Sequence, residues 1–296
     1  MSIIANIKYL WLRKYKSIAG IYLKKTAQQR VEKLWQERKN LLNRTSNQLN
    51  QPLMINLTSF PARFETLHLT LKSLLLQNTN FDRLNLWLFE PDINKLPQQV
   101  LELQNYGLSV MPVPTDTRSY KKLIPALNEF PNAFHVTADD DIYYRENWLH
   151  ALTSEYQGND NEILCWRAHR IKKDKKTNQV LPYRKWEPKT EVRGPDPLLF
   201  FTSGAGVLFP PGSLGEQAKD QTLATKLAPY ADDLWWYTMA RVNNCSIRRV
   251  GNNPKLITWK GSKGESLWTF NKQESGGNDQ QLAQLNAHFN IFTDGK

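Results

Sequence analysis

Cysteine is nearly missing from this sequence: only Cys165 and Cys245 occur in 296 residues, far apart and in no metal-ligand spacing. That excludes a disulfide framework and a cysteine-held zinc site, and it points to a reducing, cytoplasmic compartment. Long apolar runs are missing too. No stretch of about 18 apolar residues exists, so no segment is expected to cross a bilayer, and the uninterrupted apolar stretch of a secretory signal is not found. The sequence carries no internal repeat and no low-complexity tract. Acidic side chains are in deficit, 28 against 39 Lys and Arg, for a net charge of +11. No recognisable nucleic-acid module accompanies that charge, which argues against a nucleic-acid partner.

The surplus charge is local. Residues 1–50 hold eleven basic side chains (Lys8, Arg13, Lys14, Lys16, Lys24, Lys25, Arg30, Lys33, Arg38, Lys39, Arg44) against Glu32 and Glu37, nine of the eleven net charges. Ile4, Ile7, Trp11, Tyr15, Ile18 and Tyr22 recur in steps of three and four, so a helix would set them on one stripe. A basic amphipathic helix with interfacial Trp and Tyr is suited to lying on an anionic membrane. The expectation is peripheral attachment to the inner face of the cytoplasmic membrane, with packing on the protein itself, or on another copy, as the competing reading. Residues 40–51 are polar and Asn/Gln-rich, as in a linker. The chain thus divides into a basic helical arm and linker over 1–50 and one domain over 51–296.

That domain alternates short apolar runs with amphipathic segments. Strands are expected at Leu53 to Leu57, Leu84 to Phe89, Leu108 to Val113, Phe134 to Thr137 and Ile163 to Trp166. Helices are expected at Ala62 to Gln77, Gln98 to Tyr106, Tyr120 to Phe130 and Asp232 to Val242. Strands separated by helical segments imply βαβ units and a mainly parallel sheet flanked by helices, an α/β fold. Residues 172–197 read as a charged loop, and Pro210-Pro211-Gly212 as a turn. Ligands of such sheets bind beyond the carboxyl ends of the strands. The polar groups there are Thr58-Ser59-Phe60, Glu90 and Asp139-Asp140-Asp141, and they are expected to converge.

Three adjacent carboxylates repel one another, and an unpaired set at a strand end is costly unless a cation neutralises it. Oxygen ligands suit Mg²⁺ or Mn²⁺, commonly shared between one or two carboxylates and phosphate oxygens. A solvated acidic turn is the plain alternative. A second acidic pair, Asp232-Asp233, opens a helix. Either residue suits a helix N-terminus, and a carboxylate there also suits a general base toward a sugar hydroxyl. Trp235 and Trp236 follow, rings that would pack on a sugar face or fill core. Core packing is the plain reading for most of the ten tryptophans.

Taken in order, these segments resemble the GT-A-fold glycosyltransferases, close to the family-2 type of bacterial capsule and lipopolysaccharide synthesis, over residues 52–250. The resemblance implies nucleotide-sugar contacts from Thr58, Ser59, Phe60, Arg63, Glu90, Lys121, Lys122, Asp139 and Asp140. It implies a divalent metal, Mn²⁺ or Mg²⁺, on Asp141 and Asp139. Ser203, Gly204, Ala205 and Gly206 would shape the donor and acceptor pocket together with Trp235 and Trp236. Asp232 and Asp233 stand where the family carries its catalytic pair, with Asp233 as the base. Asp232 replaces the family's Glu, and Glu90 its Asp. The implied reaction is transfer from a nucleotide sugar, UDP being the expected carrier, to a hydroxyl of a glycan or lipid-linked acceptor, with inversion by single displacement.

Other readings remain. A sugar-phosphate transferase or nucleotidyltransferase also needs a metal and carboxylates, but the latter type opens with a Gly-rich loop after its first strand, whereas Thr58-Ser59-Phe60-Pro61 has no glycine. A non-catalytic sugar-binding scaffold would not need both acidic pairs. Among the histidines, His68 falls in a helical pattern and His135 in a strand. His169 sits in Arg167-Ala168-His169-Arg170, which suits either phosphate or an acidic acceptor, or a basic surface turn. Gly276-Gly277-Asn278-Asp279 is a candidate closure over the donor, and His288 a candidate distal metal ligand.

Overall fold

The computed structural model describes residues 21–37, 41, 43–251, 256–262 and 277–292. Most of the basic stripe, Ile4 to Ile18, and Gly276 lie outside the described residues.

The apolar runs Leu53 to Leu57, Leu84 to Leu88 and Phe134 to Thr137 are buried at every position and form strands. The described strands are β1 (Leu53–Thr58), β2 (Arg83–Phe89), β3 (Leu108–Val113), β4 (Phe134–Thr137), β5 (Glu162–Cys165), β6 (Ala168–Arg170), β7 (Leu199–Phe201), β8 (Val207–Phe209) and β9 (Ser246–Arg249). Seven of them make one sheet in the order β3-β2-β1-β4-β8-β5-β9, and β6 and β7 form a small second sheet. Within the seven-stranded sheet, pairings are parallel except those of β8, which runs antiparallel to both β4 and β5, and β6 pairs antiparallel with β7. The α/β, mainly parallel architecture is as expected; the reversed strand inside it is not evident from the sequence. Leu198 to Phe209 reads as one apolar segment, yet it splits into β7 and β8 on different sheets around a 3-10 turn at Ser203–Ala205.

The expected helices form with shifted bounds. Phe64–Leu75 follows a 3-10 turn at Pro61–Arg63 and buries Leu67, Leu71, Leu74 and Leu75. The segment at Tyr120 starts as a 3-10 turn, Arg118–Lys122, and becomes α-helical only at Ile124–Glu129. Pro125 causes the break, since it lacks an N–H and fits only the first turn of a helix. Helix Asp232–Val242 is as read, and helix Gly277–Phe289 packs against it.

Residues 21–37 are helical, and Ala27, Val31 and Trp35 belong to the same hydrophobic core as the β1 and β2 leucines. Arg30 Nε donates to Glu146 Oε1 at 3.1 Å, and Lys72 Nζ to Glu32 Oε2 at 2.9 Å. Trp35 meets Tyr106 edge to face at 5.1 Å. Ile21, Tyr22, Lys24, Lys25 and Lys33 of this helix are exposed. No described helix is long and apolar enough to cross a membrane.

Candidate active site

β1 and β4 are neighbours, so the turns that follow them leave the same edge of the sheet. Ser59 Oγ donates to Asp140 Oδ2 at 2.6 Å, joining the two tips. Arg63, on the 3-10 turn after β1, reaches Asp141 Oδ2 at 2.6 Å and Asp140 Oδ1 at 4.0 Å. The acidic turn is also clamped from behind. Thr70 Oγ1 donates to the Asp140 carbonyl at 2.8 Å and itself accepts from Trp259 Nε1 at 2.7 Å. The Asp139 N–H donates to Tyr144 Oη, whose hydroxyl donates to the Gly204 carbonyl, both at 2.7 Å. Such backbone clamps hold three like charges together where solvent alone would let them spread.

The insertion of β8 beside β4 brings Ser203-Gly204 onto the acid turn. Thr137 Oγ1 donates to the Ser203 carbonyl at 3.1 Å. A Cβ on Gly204 would overlap Asp139 Oδ2, so only glycine lets the two chains approach this closely. Gly206 has φ +111° and lies against the Trp148 ring, a second place where a side chain is excluded.

From the other side, the start of helix Asp232–Val242 faces the same space. Its two carboxylates point differently, as adjacent helical residues must. Asp232 is buried and pairs with Lys122 Nζ at 3.2 Å. Asp233 lines the cleft, and its Oδ1 accepts from the Ser203 N–H at 2.9 Å. Lys122 Nζ also donates to Asp139 Oδ1 at 3.0 Å and Ser203 Oγ at 2.9 Å. One buried ammonium therefore ties both acidic pairs together. Its pKa is raised by Asp139, Asp232 and Asp233, which outweigh the larger single effect of burial. Lys121, expected to contact the nucleotide, lines the cleft but is itself paired with Asp116.

Burial dominates the carboxyl groups. It pushes Asp140 up to about 7 despite Ser59 and Arg63, and raises Asp141, with Asp139 adding to the effect. Asp233 is raised to about 7 by burial and then by Asp232, with Lys122 and Ser203 opposing. Five carboxyl groups (Asp139, Asp140, Asp141, Asp232, Asp233) thus meet in the cleft, with Arg63, Lys122 and Arg167 among the cations that line it. Among the described residues no three His, Cys, Asp or Glu side chains form a ready-made metal cage. The donor set still suits a hard divalent ion. Asp139 and Asp141 keep oxygen atoms open to the cleft, with 41% and 20% side-chain exposure, and Mg²⁺-type sites take one or two carboxylates plus phosphate oxygens.

The whole cleft encloses about 1410 Å³ and brings together Thr58, Ser59, Phe60, Arg63, Lys121, Lys122, the three aspartates, Ser203, Gly204, Asp232 and Asp233. Asn278 and Asp279 line it as well, and Asp279 Oδ1 accepts from the Tyr183 N–H at 2.6 Å.

Several expected residues stand elsewhere. Glu90 is exposed and does not line the cleft, because the chain turns at once into the short helix Glu90–Ile93. Trp235 and Trp236 are fully buried and cannot offer a face to a sugar: they donate to the Ala218 carbonyl and to Asp232, since this helix is enclosed on nearly every side. Ala205 and Gly206 lie behind the lining, where their role is to seat Trp148. The ring of His135 is buried, donates from Nε2 to the Phe130 carbonyl, accepts at Nδ1 from Asn56 Nδ2, and is pushed down to about 4 by burial. His288 does not line the cleft, and its ring lies against Phe289.

No protein-family model matches the chain, and no curated protein matches it in sequence. Solved structures do match it in shape. The mannosyltransferase PcManGT from Pyrobaculum calidifontis, solved with GDP-Man and Mn²⁺, superposes with a TM-score of 0.52 at 12% identity, over 95% of this chain and 76% of that one. The chain has the GT-A fold. S. aureus TarS 1-349 also matches, with a TM-score of 0.48 at 18% identity over 81% of this chain and 72% of that one. So does the Mycobacterium tuberculosis glucosyl-3-phosphoglycerate synthase, at 0.49 and 12% identity over 84% and 83%.

Within this GT-A chain the sequence pointed to the cleft floor but not to much of its wall. Arg167, His169, Tyr183, Arg184, Trp186 and Phe200 all face the cavity. Only the basic run at Arg167 to Arg170 gave a signal. Tyr183 and Arg184 lie in a stretch with no periodic pattern, where nothing in the residues marks a direction.

Proposed function

We propose that this protein is a metal-dependent glycosyltransferase that moves a sugar from a nucleotide sugar to an acceptor hydroxyl. The observation that carries the reading is the union of two carboxylate pairs in one cleft: Asp139 and Asp232 share the Lys122 ammonium, and Asp233 hangs from the neighbouring Ser203 N–H. A donor site and a base are of use to one reaction only when they are this close.

In this reading Thr58, Ser59, Phe60 and Arg63 frame the nucleotide side of the cleft. Asp139 and Asp141 hold the divalent ion, which, when bound, offsets the charge that develops on the diphosphate. Asp233 takes the proton of the acceptor hydroxyl. The hydroxyl oxygen forms its bond to the anomeric carbon as the bond to the diphosphate oxygen breaks, and a single displacement inverts the centre. Burial of Asp233 serves this role, because a carboxylate raised toward neutrality is a stronger base than one in water. Lys122 is a positioning residue: already occupied by Asp139, Asp232 and Ser203, it fixes the base helix against the acid turn.

PcManGT, which shares the fold, was solved with GDP-Man and Mn²⁺, in line with a nucleotide-sugar donor and a divalent metal here. UDP as carrier, a surface glycan or lipid-linked acceptor, and attachment to the inner membrane face are part of the same proposal. The exposed Ile21, Tyr22, Lys24 and Lys25 of helix 21–37 fit the last of these.

The test measures nucleotide binding and donor turnover over a panel of UDP- and GDP-sugars. Mn²⁺-linked nucleotide binding is expected, with release of nucleoside diphosphate and transfer. Asp141→Ala is expected to remove the Mn²⁺-linked part of binding, and undiminished affinity would refute the metal assignment. Pyrophosphate as product would instead make it a nucleotidyltransferase, and absence of any release would make it a scaffold.

A further inference from the structure

The wall beside Asp233 is built by a segment for which the reaction above has no use. Residues 171–198 connect β6 to β7 and fold back through bridges between Lys173 and Val180 and between Arg170 and Glu187. A 3-10 turn at Tyr183–Lys185 then delivers Tyr183 and Arg184 to the cleft. Arg167, immediately before β6, enters the same space. Its Nε donates to Thr202 Oγ1 at 2.8 Å. Burial is the strongest influence on its guanidinium and lowers its pKa, while Asp233 and then Asp139 act in the opposite sense. Arg167, Tyr183 and Asp233 all line the same cleft.

Three other cations of the cleft are matched: Arg63 with Asp141, Lys121 with Asp116, and Lys122 with Asp139 and Asp232. Arg167 and Arg184 make no ion pair among the described residues. Thr202 holds Arg167 at Nε, and the planar fork of a guanidinium fits the paired oxygens of a phosphate or carboxylate. Asp233 makes no ion pair with Arg167 among the described residues, and its Oδ1 accepts from the Ser203 N–H.

We propose that Arg167, with Arg184 at the rim, receives a negatively charged group of the acceptor, phosphate or carboxylate, adjacent to the hydroxyl that Asp233 deprotonates. The acceptor is then an acidic sugar or a phosphorylated polyol rather than a neutral glycan. Two points, the anion on Arg167 and the hydroxyl on Asp233, fix its orientation. The inference rests on the transferase reading for the word acceptor; the anion site itself does not depend on it.

The test is calorimetric binding of glycerol 3-phosphate against glycerol and of glucuronate against glucose, with and without saturating UDP and Mn²⁺. At least one charged probe is expected to bind tenfold or more tighter than its neutral partner, in both conditions, and the tighter of the two identifies the anionic group. Arg167→Gln is expected to erase that preference and Arg167→Lys to restore part of it. Arg184→Gln, an exposed change that leaves the core untouched, is expected to weaken the charged probe severalfold, so the test stands even if Arg167→Gln does not fold. Equal affinity for charged and neutral probes overturns the proposal. So does loss of anion binding once UDP and Mn²⁺ are present, because Arg167 would then serve the donor phosphates. Failure of the transferase reading shows separately, as no donor turnover while the anion still binds.

Discussion

In the proposed reaction two demands meet at Asp233: the carboxyl must be buried enough to be basic, yet ionised enough to accept a proton. Its elevation to about 7 by burial and Asp232 has a measurable consequence. The base works only when deprotonated, so turnover is expected to rise with pH through about 7 and to fall about tenfold per unit below it. Asp233→Asn is expected to cut turnover by about 10²- to 10⁴-fold and abolish that limb while Mn²⁺-linked nucleotide affinity persists. A pH–rate profile unchanged in the variant would move the base elsewhere. The place of Asp232 and Asp233 at the cleft was legible in the sequence because an acidic pair opening a helix is a local pattern. The division of labour within the pair was not. That depends on Lys122, more than a hundred residues earlier, choosing Asp232 as its partner. Glu90 shows the opposite failure: a strand end is a position, and the direction of the next turn decides whether a side chain there meets the ligand.

Among elements, the 3-10 turn Ser203–Ala205 touches both acidic centres. It supplies the Ser203 N–H to Asp233, carbonyls to Thr137 and Tyr144, and the gap at Gly204 that Asp139 fills. Gly204→Ala is expected to displace Asp139 and weaken Mn²⁺-dependent nucleotide binding by about 10- to 100-fold, the range seen when the support of a metal ligand is lost. Metal-independent binding on the Ser59 side should change little, and titration of nucleotide with and without Mn²⁺ separates the two. The first four strands were readable because each is an apolar run of four to seven residues bounded by polar turns. β6, β7 and β8 have three residues each, too few for any period to show. Their pairing, and with it the reversal of β8, is set by which faces remain to be covered after the parallel strands have associated.

Over the whole molecule, the basic leading segment is not uniform. Helix 21–37 turns Ala27, Val31 and Trp35 into the core and its lysines outward, a split that the net charge of residues 1–50 conceals. Trp35→Ala is expected to cost about 3 kcal/mol, in the range for removing a buried aromatic ring, and to lower the thermal midpoint by about 5 °C. Deleting residues 1–20 is expected to leave that midpoint within a degree or two and to release the protein from anionic vesicles; equal vesicle binding by the truncated form would end the membrane proposal. The Lys122 contact has a consequence at this same scale. One ammonium closes a loop of interactions between segments before and after the reversed strand, so neither acidic centre has an independent electrostatic balance. Recombining the first half of this chain with the second half of a distant homologue would leave an orphan charge wherever the incoming half lacks its counterpart. Swaps of specificity are therefore better tolerated in residues 171–198, which contribute to the wall and leave that loop intact.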